Sequence, residues 1–403
     1  MNNDGRQELP NEQQDKIFTR RFISIALVNF AVFFSFNLTT TSIPIFVAST
    51  GASALIAGLS TTLVTVTSLI IRTFGGIIIG HYGKKIPLIA SIVIMSICII
   101  AYAVLPIVGV ILIWRLIHGI GWGLSTTCSS TIVADITPRK RFAEGIGYFS
   151  LSVSLAMAIA PALAVAMLEN VGFKPVLIVA IIASSIALLL SFFQKNDTIF
   201  QKNETVVRTE EKKKLVVSDF IDKRALLPSG VMFLISCSFA SVGTFIAIHA
   251  KEVGVEDVYV YFIVYSVANI VTRPVIGRVI DRIGFFLPCI LASISLMVSL
   301  AMISLSSSLI IFCIGGFFGG LGLGTNMGAL QTMSVASVPP ERRAVATSTF
   351  LIALDGGYGI GALLGGIIAT AIGFSKMYLV VSLLALAAAL IFVFMGKKRV
   401  DSY

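Results

Sequence analysis

Twelve apolar runs, each long enough to cross a bilayer as a helix, dominate this chain of 403 residues. A bilayer core requires about 20 apolar residues in helical form. The runs fall near 22–48, 54–79, 86–105, 108–134, 143–168, 174–193, 227–249, 258–280, 286–305, 308–336, 344–371 and 376–395. Lipid cannot satisfy backbone polar groups, and β-barrel strands would give short alternating segments instead. The sequence therefore predicts an all-α membrane protein with 12 transmembrane helices.

Charge and apolar content exclude an ordinary soluble protein. The chain is 56% hydrophobic and only 12% charged, whereas soluble domains carry about 25% charged residues. The net charge of +10 suggests nucleic-acid binding at first sight. However, no basic domain with interleaved aromatic residues remains once the apolar runs are removed. We expect a lipid bilayer around the protein and no nucleic-acid partner.

Lysine and arginine in the connections predict the topology. With the N-terminus in the cytosol, the external loops hold only Lys174, Lys251 and Lys376. Cytoplasmic loops of membrane proteins carry the excess of basic residues. We expect a multi-pass cell-membrane protein with both termini cytoplasmic. The expected order is a cytosolic tail (1–21), a six-helix bundle (22–194), a cytosolic linker (195–225), a second six-helix bundle (226–396) and a cytosolic tail (397–403).

An internal repeat with an offset of 201 residues relates the two halves without gaps over a long stretch. The matched residues are mostly glycine, proline and arginine, which chance does not easily align in one register. They include Arg72/Arg273, Gly76/Gly277, Gly83/Gly284, Gly119/Gly320, Gly121/Gly322, Gly123/Gly324, Pro138/Pro339 and Gly172/Gly373. Two parallel, pseudo-symmetric bundles with substrate bound near the midplane between them are the expected build.

The loop after the second helix and its repeat partner carry a glycine-rich basic motif. The first copy reads Gly76-Ile-Ile-Ile-Gly80-His81-Tyr82-Gly83-Lys84-Lys85, and the second reads Gly277-Arg-Val-Ile-Asp281-Arg282-Ile-Gly284. Both resemble the G-x-x-x-D-R-x-G-R-K signature of the major facilitator superfamily, and the resemblance covers essentially the whole chain. The first copy lacks the acid, and the second lacks the basic pair. The resemblance implies that this loop couples the two bundles and helps to hold the outward-open state.

Two further helices resemble motifs of the same family. The fourth reads Arg115-Leu-Ile-His118-Gly-Ile-Gly-Trp122-Gly, similar to the R-x-x-Q-G-x-G-x-G pattern of proton-coupled members. The fifth places alanines around Pro161 and resembles a degraded G-P-x-x-G pattern of the drug-export branch. The resemblance implies a 12-helix, proton-coupled efflux transporter of drugs or metabolites.

Asp355 is the sole carboxylate that the sequence places near the bilayer centre. It lies about 16 Å from the cytosolic end of the eleventh helix at 1.5 Å per residue. Its repeat partner, Ser154, cannot ionise. Because desolvation disfavours the charged form, a buried carboxylate becomes able to take up a proton. We hypothesise that Asp355 is the main proton-coupling group; the alternative is a structural ion pair with Arg115 or Arg273.

Arg115 and His118 occur in the first half only, since they align with Gly316 and Gly319. Three residues apart, they share one helical face, which we expect to line the central cavity and to assist proton coupling. The alternative is that Arg115 binds carbonyl or polar groups inside the N-terminal bundle and His118 only packs. Arg72, which has a counterpart in the second half, is expected to be structural, at the cytosolic end of its helix.

The favoured function is proton-coupled efflux, by antiport and alternating access, of a small organic molecule. Proton symport or facilitated uptake of a small metabolite is the alternative, and a non-transporting scaffold or sensor is a third class. Because the charge in the first half is positive, we expect neutral, zwitterionic or anionic substrates rather than cations. A monomer is expected.

Besides the proton-coupling residues Asp355, His118 and Arg115, the candidate site residues form two groups. The expected substrate-binding residues are Asn29, Asn37, Arg115, His118, Trp122, Asn326, Gln331 and Tyr358. The expected conformational-coupling residues are Gly76, Gly83, Lys84, Lys85, Arg72, Arg273, Gly277, Asp281, Arg282, Gly284 and Pro161. No enzyme activity, metal or cofactor is expected, because the three histidines are far apart and no strand precedes the glycine run that begins at Gly356.

The unequal signature loops generate a first prediction. Gly80→Asp is expected to add a contact between the bundles and to shift the population of inward-open and outward-open states. Asp281→Asn is expected to reduce transport more than any change at Gly80, because the acid of the signature is kept only in the second copy. Labelling of single cysteines from each membrane face measures the populations. If neither variant changes them, this interpretation of the loops is wrong.

Overall fold

The computed structural model describes residues 17–138, 141–194, 221–339, 342–395 and 400. Within these ranges, the side chains of 142–144, 273–274 and 344 are not described. Most of the predicted linker and most of both predicted tails lie outside the described residues.

Twelve α-helices and one 3₁₀ turn make up the architecture of this described part. They are α1 (Arg20–Ser49), α2 (Ala54–Tyr82), α3 (Lys85–Val104), α4 (Val108–Ile136), α5 (Phe142–Asn170), α6 (Phe173–Ser191), the 3₁₀ turn (Lys223–Ala225), α7 (Leu226–Glu252), α8 (Tyr259–Ile283), α9 (Phe286–Leu305), α10 (Leu309–Ala336), α11 (Arg343–Ile372) and α12 (Phe374–Met395). Each predicted run coincides with one helix, with ends that agree within three residues. The all-α, 12-helix prediction is confirmed.

Eleven helices are long and apolar enough to cross a membrane, and α8 makes twelve when it is counted as one span. It bends by 49° between Thr272 and Val275. The break falls at Pro274 of the sequence, and a proline inside a helix removes one backbone hydrogen bond. We call the membrane side at which α1 begins the terminal side, and the opposite side the far side.

The helices form two bundles with the same internal packing. In the N-terminal bundle, α1 packs on α5 and α6, α2 on α4, and α3 on α4 and α6. In the C-terminal bundle, α7 packs on α11 and α12, α8 on α10, and α9 on α10 and α12. The bundles meet mainly through α2 with α11 and α5 with α8. These two interfaces are equivalent under the repeat, so the pseudo-symmetry inferred from the sequence extends to the contact between the bundles.

The repeated glycines of α4 and α10 explain why the two bundles pack alike. A Cβ atom on Gly119 would lie 2.3 Å from the carbonyl oxygen of Val64, and one on Gly320 would lie 2.3 Å from that of Tyr265. Val64 and Tyr265 are themselves repeat partners. The next two glycines of each helix have the same close contacts with repeat-equivalent residues. Small residues let membrane helices approach at this distance, so the glycine pattern sets the helix spacing of each bundle.

The glycine that follows α2 and the one that follows α8 have the same backbone conformation. Gly83 has φ +77° and Gly284 has φ +79°. Glycine adopts this region without strain, whereas other residues rarely do. The last glycine of each signature copy is therefore required by the turn itself, whatever the neighbouring charges do.

Asp222 fixes the chain where it returns from the linker to α7. Its carboxylate accepts a hydrogen bond of 2.9 Å from the Arg224 backbone N–H and pairs with Arg342 at the start of α11. Its own N–H donates to Thr349 Oγ1 at 3.0 Å. The Arg224 N–H and the Arg342 guanidinium both favour the ionised form and hold the pKa of Asp222 below its usual value. The linker thus ends firmly on the C-terminal bundle.

A matched pair of glycines in α4 tests this packing. Gly119→Ala is expected to destabilise the protein by about 1–3 kcal/mol, because overpacking forces its neighbours apart. Gly109→Ala in the same helix is the control, since its Cβ would meet nothing within 4 Å. Thermal unfolding of the purified variants should show a lower midpoint for Gly119→Ala alone. Equal midpoints would contradict the role assigned to the glycine pattern.

Candidate transport site

Close contacts between α2 and α11 run from the far side to the middle of the molecule. The Leu55 N–H donates to Thr370 Oγ1 at 3.0 Å near the far-side ends of the two helices. Deeper in, Thr62 Oγ1 donates to the carbonyl oxygen of Gly359 at 2.8 Å. Across the equivalent interface, the hydroxyl of Ser266 in α8 donates to a carbonyl of α5 at 3.1 Å. These contacts close the far side of the pathway between the bundles.

An ion pair marks the inner limit of this interface. Arg72 Nη1 of α2 lies 2.5 Å from Asp355 Oδ2 of α11. Arg72 Nη2 also donates to Thr126 Oγ1 of α4 at 3.1 Å, which holds the guanidinium on the N-terminal bundle. The two side chains are 17% and 23% exposed, so the pair is not sealed from the space between the bundles. One opposite-charge contact therefore joins the bundles at the middle of the membrane.

The partner of Asp355 differs from the two that the sequence suggested. Arg115 is bonded elsewhere, and the side chain of Arg273 lies outside the described residues. Arg72, expected to be structural at the cytosolic end of its helix and also counted among the conformational-coupling residues, reaches across to the other bundle. A signal for this pairing was present in the sequence. Arg72 and Asp355 lie about 27 Å and 26 Å from the far-side ends of their helices at 1.5 Å per residue, and hence at the same depth.

An ion pair at this place responds to protonation. Two unit charges in contact attract much more strongly in a partly buried site than in water. A proton on the carboxylate of Asp355 removes this attraction, and the other α2–α11 contacts found among the described residues are neutral. The arrangement can therefore convert a proton into a change in the affinity of one bundle for the other.

Arg115 and His118 lie inside the N-terminal bundle and are fully buried. Arg115 Nε donates to the carbonyl oxygen of Ser60 at 2.7 Å. His118 Nδ1 lies 3.1 Å from the hydroxyl of Tyr102. We expected both side chains to line the cavity; in this conformation neither is exposed to it, because bonds within the bundle hold them.

The remaining polar candidates are mostly held by their own bundles. Asn29 donates to Ser152 Oγ at 3.0 Å, and the fully buried Asn326 donates to the carbonyl oxygen of Gly322 at 3.0 Å. Neither lines the space between the bundles as expected, because these hydrogen bonds direct the amides inward. Asn37 is half-buried and bonds to its own helix, and Gln331 is half-buried.

Aromatic side chains form one cluster in each bundle. Trp122, expected to bind substrate, is buried in the core of the N-terminal bundle, because neighbouring apolar side chains cover it. Trp122 stacks on Phe36 with ring centroids 3.6 Å apart. In the other bundle, Phe239 stacks on Tyr265 at 5.3 Å and lies 6.5 Å from Tyr358. The sequence analysis included Trp122 and Tyr358 but missed their phenylalanine and tyrosine partners. Such surfaces suit an organic ligand with an apolar body, since binding sites are lined mainly by apolar and aromatic groups.

The basic pair of the signature loop bonds within the N-terminal bundle in this conformation. Lys84 is buried and pairs with Asp135 at the end of α4. Lys85 Nζ donates to the carbonyl oxygen of Phe192 at 2.6 Å. In the second copy, Asp281 is exposed, and no ion pair to it is found in the part of the chain that the structure describes. The loop therefore rests on its own bundle while the far side is closed.

Two pseudo-symmetric six-helix bundles of membrane-spanning helices, with an ionisable contact between them, are the build of a multi-pass membrane transporter. The sequence profile described as Major Facilitator Superfamily matches residues 25–308 and again residues 230–402. The chain belongs to this family, whose members carry small molecules across membranes and are not enzymes.

Named relatives include exporters. The Staphylopine export protein of Staphylococcus aureus is 23% identical over 372 residues, which cover 88% of this chain and 91% of that protein. The Multi-drug resistance efflux pump PmrA of Streptococcus pneumoniae is 23% identical over 266 residues, covering 64% and 66%. The crystal structure of a POT family transporter in complex with 5-aminolevulinic acid matches with a TM-score of 0.78 and 15% identity, covering 96% of this chain and 98% of that one. This last similarity shows the fold.

A double-mutant cycle tests the ion pair. Arg72→Gln and Asp355→Asn are each expected to lower the thermal stability, and the double variant to be less destabilised than the sum. For residues in contact, coupling energies of about 0.5–3 kcal/mol are usual, and partial exposure places this pair toward the lower end. The control cycle joins Arg72→Gln with Asp281→Asn, whose effects should add. Additive effects in the first cycle would show that the two charges do not interact.

Proposed function

We propose that this protein exports a small organic molecule in exchange for protons, by alternating access, and that Asp355 carries the proton. The observation that carries the proposal is the Arg72–Asp355 ion pair, an ionisable contact between the two bundles at mid-membrane. The names of the relatives support export as the direction. The repeat supports specialisation of this site, because Ser154 at the equivalent position of α5 cannot ionise.

The ion pair gives a route from proton movement to conformational change. When the far side opens, α2 and α11 part there, and Asp355 loses the positive charge that favours its ionised form. The carboxylate then takes up a proton from the far side. When the far side closes again, Arg72 approaches, favours the ionised form, and the proton leaves toward the terminal side. Binding of substrate supplies the free energy that separates the two side chains for the next opening.

The orientation follows from the basic residues of the connections. The excess of basic residues on the terminal side supports a cytosolic location for that side. With this orientation, both termini are cytoplasmic, and the far-side contacts close the pathway toward the outside. Protons then move into the cell down their usual gradient while the substrate moves out. We propose that the protein works as a monomer in the cell membrane, since each chain contains both bundles of the pathway.

Inverted vesicles from cells that express the protein test proton coupling. The vesicles are acidified inside, and a pH-sensitive dye reports the loss of the gradient when compounds of a panel are added. Exchange should dissipate the gradient for at least one compound in the wild type. Asp355→Asn should abolish that response while the purified variant stays folded and still binds the compound, because the proton carrier alone has been removed.

Asp257→Asn is the matched control for loss of an acid, since Asp257 is exposed in the loop between α7 and α8 and lies outside the ion pair. Full gradient-driven exchange in a folded Asp355→Asn protein would remove this residue from the mechanism. Symport would instead move the compound out of the acidified lumen together with protons, so the direction of compound movement separates export by antiport from uptake.

A further inference from the structure

We infer that Arg115 anchors an anionic oxygen group of the substrate, a carboxylate or a phosphate, at the far-side end of the pathway. The inference rests on the proposed function and names the substrate class of that site. Three observations support the inference: Arg115 has an unbalanced charge, the equivalent position of the other bundle has no arginine, and polar groups surround the Arg115 side chain.

The charge of Arg115 has no counter-ion among the described residues. The side chain is fully buried. Its Nε atom donates to a backbone carbonyl, its Nη2 atom lies 3.5 Å from Thr40 Oγ1, and the Tyr102 hydroxyl lies beside the guanidinium. Among the described residues, no hydrogen bond to its Nη1 atom is found. The carboxylate nearest the bilayer centre, Asp355, is paired with Arg72. A buried charge without a partner is strongly unfavourable, and an anionic ligand removes this penalty.

The fold does not require an arginine at this position. The repeat places Gly316 at the equivalent point of α10. A Cβ there would lie 3.0 Å from the carbonyl oxygen of Tyr261, and the Tyr261 ring fills the adjacent space. Tyr261 is the repeat partner of Ser60, whose carbonyl binds Arg115. The same packing is thus achieved in one bundle with a neutral residue, so the buried charge in the other bundle serves something other than packing.

The groups around Arg115 come from both bundles. Thr40 lies on α1, and Tyr358 of α11 lies within electrostatic range of the guanidinium. The Tyr358 hydroxyl packs against α7 next to Gly243, where a Cβ atom would lie only 2.2 Å from the hydroxyl oxygen. The same hydroxyl faces Thr244. Hydroxyl groups of α1 and α3 in one bundle and of α11 in the other therefore lie near one guanidinium.

This chemistry suits a carboxylate or a phosphate. A guanidinium offers a planar set of donors that matches two oxygens at once, and hydroxyl groups add further donors. The site is closed here because the far-side contacts are made and because Arg115 is bonded inside the N-terminal bundle. An anion that arrives from the terminal side binds the guanidinium in competition with these bonds.

The test begins with the chemistry of the exported compounds. Growth media of cells that express the wild type and cells that express Asp355→Asn are compared by accurate-mass spectrometry. Compounds that only the wild type enriches in the medium are expected to carry a carboxylate or a phosphate. Their structures show which of the two anionic groups is recognised. Compounds that are neutral or only cationic would overturn the inference and leave the export proposal standing. If no compound differs, the export proposal fails, and this inference fails with it.

The second step tests whether the anionic group of the compound is bound by Arg115. The exported compound and its neutral analogue, the carboxamide or the dephosphorylated form, are titrated into purified wild-type and Arg115→Gln protein. The wild type should bind the anion at least about tenfold more tightly than the analogue, as loss of a charge-assisted hydrogen bond implies. In Arg115→Gln this preference should disappear, and Arg115→Lys should keep part of it.

Tyr358→Phe is a second variant in case Arg115→Gln does not fold. It keeps the ring and removes the hydroxyl, and it should weaken binding of the anion more than binding of the analogue. Equal affinities of the wild type for the anion and its analogue would overturn the inference. So would a preference that survives intact in a folded Arg115→Gln protein.

Discussion

Lipid offers no hydrogen-bond partner and no dielectric screening, and the rest of this structure depends on that constraint. Backbone polar groups are satisfied within helices, and the few intramembrane charges are directed away from lipid. Each such charge then requires its own solution inside the protein. Arg72 and Asp355 form an ion pair across the two bundles, and Lys84 pairs with Asp135 at the membrane edge. Among the described residues, Arg115 has only neutral hydrogen-bond partners. Because the intramembrane charges are few, the partner of each one indicates its role in the protein.

Duplication supplies the scaffold, and the differences between the copies supply the chemistry. A Cβ on each of the repeated glycines of α4 and α10 would come close to repeat-equivalent residues, so close helix spacing is common to both bundles. The acid of the ion pair is not shared in this way. Asp355 corresponds to Ser154, and Arg115 corresponds to Gly316, whereas Arg72 has Arg273 as its counterpart. Within a symmetric frame, the α2–α11 interface therefore holds an ionisable carboxylate at a position where the equivalent α5–α8 interface has a serine.

Helices, topology of the repeat and family could be predicted from the sequence, because apolar length and glycine register are one-dimensional signals. The direction of single side chains could not. Asn29 and Asn326 occupy helices near the pathway, yet each turns toward a hydrogen-bond partner inside its own bundle. The ion-pair partner of Asp355 was missed because the candidates were chosen by charge alone, without comparing depths in the membrane. Arg115 lies about 10 Å from the far-side end of α4 at 1.5 Å per residue, too shallow to meet Asp355.

The α2–α11 interface shows why one ionisable pair can govern a large movement. Its other contacts are a few hydroxyl–backbone bonds and close approaches of glycine to backbone, such as Gly58 against the carbonyl oxygen of Ala362. The backbone carbonyls there are already bonded within their helices, so no buried backbone group is left without a hydrogen bond when the two helices separate. Such contacts can be made and broken many times at small energetic penalty, and none of them depends on pH. The Arg72–Asp355 pair is the one described contact of this interface whose strength a proton changes. The interface can therefore be weak overall, and protonation of one carboxylate can still decide whether it is open or closed.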